Sequence, residues 1–118
     1  MTAQNHLPTF NQLKKSFLES GFEIRSLPRY KLEQLALDAP YEVKRHVSSN
    51  IMGLILPDEN MIALAEDLTV DEKATTLLHE MIHLFNEDFP EEDVESLTLE
   101  MESQMNPNQF GFLQFLVS

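Results

Sequence analysis

The sequence predicts an α+β fold formed by one domain over residues 1–118. Three observations carry that expectation. Residues 69–85 hold apolar side chains at helical spacing around most of a helix surface. Two short apolar runs, 51–56 and 61–65, flank Pro57-Asp58-Glu59-Asn60, a connection rich in turn formers that predicts a β-hairpin. A period-two stretch at 22–27 lies between two helix-like segments and adds a further strand. A small twisted sheet ending in the hairpin and packed on the 69–85 helix satisfies all three.

In chain order, residues 1–8 read as a loose polar start. Thr9 can cap a helix that carries Phe10, Leu13, Phe17 and Leu18 on one face and stops at Gly21. The alternation at 22–27 ends at Pro28. Residues 30–37 predict a second helix, broken by Asp38-Ala39-Pro40, and 41–49 can be loop or strand. After the hairpin, Thr69 and Glu72 fit a capping box for the next helix. Residues 86–89 make a short loop. Pro90 then falls in the first turn of a further helix, where its missing donor does no harm, and Glu91, Glu92 and Asp93 suit the positive end of the helix dipole. Val94, Leu97, Thr98, Met101 and Met105 line one face of that helix. Asn106-Pro107-Asn108 interrupts, and 109–117 predicts a final apolar helix.

Composition narrows the function classes. A hydrophobic fraction of 42% and a charged fraction of 24% are ordinary for a globular domain. The formal net charge of −12 argues against binding nucleic acid or anionic membrane surfaces, both of which need basic patches. The chain has no cysteine, so a disulfide framework and thiolate metal sites are excluded, and any metal must use His and carboxylate. No apolar run is long enough to span a bilayer, and the start lacks a basic segment followed by an apolar core. A cytoplasmic location is the expectation.

Chemistry concentrates in His79-Glu80-Met81-Ile82-His83, an H-E-x-x-H motif. Histidines four apart on a helix stand one turn above each other on the same face, so both imidazoles can reach one Zn²⁺. Glu80 lies about 100° round from His79 and flanks that position, where a general base for water is needed. The motif falls in the most hydrophobic segment of the chain. Two histidines and a glutamate buried there without a ligand would be costly, whereas a chance motif belongs on an exposed amphipathic helix.

A catalytic zinc site of this kind needs a third protein ligand. The short loop at 86–89 folds the following helix back, bringing Glu91, Glu92 and Glu95 level with His83. Measured from the apolar face of that helix, Glu91 lies at about 60°, Glu95 at about 100° and Glu92 at about 160°. Glu91 is therefore the first candidate, Glu95 the second, and Glu92 faces water. Glu91 and Glu95 share a face, so one could bind metal while the other orients a ligand imidazole. His6 and His46 carry no such context. His46 could polarise a substrate carbonyl and Tyr30 and Tyr41 could serve as oxyanion donors, but a surface role for the first and packing for the other two account for them better.

The order of hairpin, T-x-x-H-E-x-x-H helix and E-x-x-x-E helix resembles the small zincin metallopeptidases of the ImmA/IrrE-like, gluzincin-type family. The likeness runs over about residues 50–105 and has one specific motif, H-E-x-x-H. It implies a minimal zincin-like fold, zinc-dependent hydrolysis of a protein or peptide substrate, His79, His83 and Glu91 as metal ligands, Glu80 as catalytic base and Glu95 as the partner of a ligand histidine. Val94 and Glu95 depart from the small residue and the Asn or Asp usual at those places. No helix-turn-helix segment accompanies the likeness, so a DNA-bound role is not implied. Two other classes compete with the peptidase. One is a non-catalytic zinc-binding accessory module, disfavoured by an intact Glu80. The other is an acidic interaction protein, disfavoured because the acidic residues interleave with apolar positions.

Overall fold

The computed structural model describes residues 7–38 and 52–118. Five helices and three strands occur among them, in the order α1 (Phe10–Ser20), β1 (Glu23–Leu27), α2 (Arg29–Asp38), β2 (Gly53–Leu56), β3 (Met61–Ala65), α3 (Val70–Phe85), α4 (Glu91–Gln104) and α5 (Pro107–Val117). The class is α+β, as the patterning implies. The ambiguous stretch 41–49, with Tyr41 and His46, lies outside the described residues, as does His6.

Local chemistry sets the ends of the elements. Thr9 caps α1, its Oγ1 accepting from the Gln12 amide while Gln12 Oε1 accepts from the Thr9 amide. Gly21 ends that helix in the left-handed region at φ 79°, which costs glycine no steric strain. Thr69 and Glu72 form the same reciprocal box at the start of α3. The β2–β3 connection is one turn of 3₁₀ helix, Pro57–Glu59, closed by Asn60 at φ 50°. Two boundaries differ from expectation. Pro90 is the cap residue before α4 and not part of its first turn. The last helix begins at Pro107 and not at 109, because Asn106 is its N-cap and boxes with Gln109.

The sheet order is β1-β3-β2, with β1 parallel and β2 antiparallel to β3. Its pleat divides the core in two. Ile55, Ile62 and Leu64 face α3 and join Leu77, Leu78, Met81 and Ile82 in the larger cluster. Leu54, Leu56, Ala63 and Ala65 face the other way and pack on Leu32 and Ala36 of α2. Helix α3 touches β2, β3 and the helices α1, α4 and α5. It is buried at Ala74, Thr76, Leu77, Leu78, Glu80, Met81, Ile82 and His83. Burying each of its large aliphatic side chains is worth about 1.5–3 kcal/mol. The motif helix is thus the central support of the larger core, and Glu80 and His83 are buried on it.

Candidate metal centre

His79 and His83 project from one face of α3, their ring centroids 4.8 Å apart at an interplanar angle of 61°. The five-residue turn after α3 is tied by Asn86, whose Nδ2 donates to the Ile82 carbonyl at 3.1 Å, and α4 then runs back along α3. That reversal brings the first residue of α4 to the histidines. Glu91 Oε2 lies 3.1 Å from His79 Nε2, and Glu91 Oε1 lies 2.7 Å from His83 Nε2. One carboxylate therefore spans both imidazoles. Further along, Thr75 of α3 donates a hydrogen bond to Glu102 of α4 and holds the pair together.

Exposure grades across the group. The side chain of His83 is 2% exposed, that of His79 23% and that of Glu91 45%. His83 forms the floor and Glu91 the solvent-facing wall. Glu80 is buried, and its Oε1 has no hydrogen-bond partner among the described residues. Burial pushes its carboxyl up to about 8, and the nearby charge of Glu91 adds to the rise. A buried carboxyl with an unpartnered oxygen, one residue from a His/His/Glu group, is a costly arrangement that packing alone does not explain.

These donors fit a divalent cation. The candidate ligand atoms of His79, His83 and Glu91 all lie within 4.8 Å of one another. Tetrahedral zinc bonds of 2.0–2.1 Å place neighbouring donors roughly 3.3 Å apart. The observed 3.1 and 2.7 Å, one to each Glu91 oxygen, need to open by roughly 0.2 and 0.6 Å. Two imidazoles and a carboxylate suit zinc and also other first-row divalent metals.

Of the residues singled out from sequence, His79, Glu80, His83 and Glu91 come together. Glu92 is exposed, as its angle on the helix implies. Glu95 is exposed as well and makes no hydrogen bond or ion pair to either imidazole, so the orienting contact implied by the resemblance is not formed. Tyr30 is 70% exposed on α2, on the far face of the sheet from α3, which removes it from this centre. One residue outside the sequence-derived set also meets the group. Gly53 of β2 lies so close that a Cβ there would stand 3.3 Å from Glu80 Oε2. A glycine inside a strand-like run is a recognised sign of close backbone approach. A separate cleft of about 320 Å³ lies between the start of α1, α4 and the start of α5 and shares no residue with the centre.

Comparison with known proteins finds no family model, no curated protein and no solved structure that matches this chain.

Proposed function

We propose that this chain is a metal-dependent peptidase with a minimal zincin-like fold, in which His79, His83 and Glu91 hold a Zn²⁺ ion and Glu80 is the general base. The observation that carries the reading is the pairing of one Glu91 carboxylate with both motif histidines beside a buried, unpartnered Glu80 oxygen. When bound, a zinc ion polarises a scissile carbonyl and acidifies water. Glu80 accepts the proton from that water at its carboxylate and returns it to the leaving amine nitrogen. His83, held in the core, fixes the position of the centre, while the half-exposed Glu91 leaves an approach for substrate from solvent.

An extended peptide needs an unpaired strand edge. Sequence alone makes 61–65, the strand before the motif helix, the candidate edge. That expectation is corrected: β3 is hydrogen-bonded on both sides, to β1 and to β2. Among the described residues β2 pairs on one side only, and a Cβ at its Gly53 would stand 3.3 Å from Glu80 Oε2. A peptide laid along β2 would pass the base.

The test is cleavage of an unstructured peptide library by the zinc-loaded protein, with new termini read by mass spectrometry. Wild type should cleave. Glu80→Gln should retain metal yet lose activity by about 10²–10⁴-fold, the usual worth of a positioned base. Equal cleavage by both proteins, or none by zinc-loaded wild type, would contradict the peptidase.

A further inference from the structure

We propose that Gly53 is a positioning residue: by carrying no side chain it lets β2 close onto α3 at Thr76 and fixes the Glu80 carboxylate beside the histidines. The proposal rests on the assignment of Glu80 as the working base and extends it to a strand that carries no reacting group. The backbone at Gly53 does not occupy the left-handed region that favours glycine, so conformational freedom is not what the position requires. Space is. A Cβ built at Gly53 would stand 2.8 Å from Thr76 Cγ2, 3.3 Å from Glu80 Oε2 and 3.4 Å from the Ala63 carbonyl oxygen. The first contact is one that real Cβ atoms do not show. Of these three atoms, two belong to α3, four residues apart on the face that meets the sheet.

Thr76 cannot readily yield. It is buried, and its β-branched side chain has few rotamers open to it within a helix. Ala63 cannot yield either, because its strand is hydrogen-bonded on both sides. Relief of the 2.8 Å contact therefore comes from β2 lifting away from α3, which changes where the Glu80 carboxylate lies relative to the strand. Glu80 has no hydrogen bond on Oε1 to resist such a shift. On this proposal, the close approach of β2 is what confines it.

The experiment is a double-mutant cycle on Gly53→Ala and Thr76→Ser, the second of which deletes the methyl group that an added Cβ would meet. Three readouts are taken on each protein: Zn²⁺ affinity by calorimetry, the ¹³Cδ resonance of Glu80 in glutamate-labelled protein, assigned by its loss in Glu80→Gln, and peptide turnover. Gly53→Ala should keep zinc affinity within a few-fold and shift the Glu80 resonance. It should lower kcat on the order of 10²-fold with little change in KM, as expected for a misplacement of about 1 Å. Adding Thr76→Ser should return the resonance, and most of the turnover, towards the values of Thr76→Ser alone. The NMR arm reads positioning without turnover, so absence of cleavage in wild type would refute the peptidase and leave this proposal decided by the resonance. A Glu80 signal unmoved by Gly53→Ala, or moved and not restored by Thr76→Ser, overturns it.

Discussion

Glu91 Oε1 meets His83 Nε2 at 2.7 Å across the turn between α3 and α4, joining an exposed carboxylate to the most buried imidazole in the chain's motif helix. The contact depends on two features of the sequence. His83 lies in the last turn of α3, and the connection is short enough to set Glu91 at the first position of α4.

The two acidic candidates on α4 should separate cleanly. Glu91→Gln removes a charged oxygen from a position that faces both histidines, whereas Glu95→Gln alters a side chain that touches neither. Calorimetric titration with Zn²⁺ should show affinity falling strongly for the first and little for the second. A larger loss for Glu95→Gln would transfer the ligand role.

Glu80 gives the metal-free protein a distinctive pH dependence. Its folded carboxyl is raised to about 8, from an ordinary value of 4.5. Between those values the folded state keeps a proton that the unfolded chain has released, so stability falls as pH rises. The full contribution is present below pH 4.5 and is lost once the folded carboxyl ionises above about 8. Thermal melts of chelator-treated protein across this window should therefore show a declining Tm. Glu80→Gln has no such proton to lose and should show a flatter curve. Parallel curves for the two proteins would contradict the burial assigned to Glu80.

Core and surface leucines should differ in the same measurement. Leu77 is fully buried on α3, so Leu77→Ala should cost about 2–5 kcal/mol in chemical denaturation. Leu99 is 67% exposed on α4, and Leu99→Ala should stay within about 0.5 kcal/mol. Equal costs would mean that α3 is not the centre of the core.

Local signals in the sequence carried most of the elements. The capping box at Thr69, the cap at Thr9, the stop at Gly21 and the hairpin around 57–60 are each decided within a few residues, and the structure forms them there. The H-E-x-x-H spacing and the short 86–89 loop likewise brought His79, His83 and Glu91 within reach of one another on paper. Sheet order was not legible in the same way, because the parallel pairing of β1 with β3 joins residues 38 positions apart in sequence, as Glu23 with Met61. A clue was present in composition. The run Met-Ile-Ala-Leu-Ala is apolar on both faces, as a strand covered on both sides must be, while Glu23 and Arg25 put charges on β1, as edge strands commonly do. The start of α5 was missed because Asn-Pro reads as a break, although proline at the first helical position with Gln109 two residues later completes a cap. The role of Gly53 depends on the distance between a strand and a helix, which no local pattern specifies.

The metal site is tested most directly by elemental analysis of purified, zinc-supplemented and dialysed protein beside its His83→Ala variant. The expected result is about one zinc per chain in wild type, removed by chelator and absent from the variant, because the site needs three converging ligands and His83 is the one held in the core. Wild-type protein without bound metal, or a His83→Ala variant that keeps zinc as well as wild type does, would contradict the assignment.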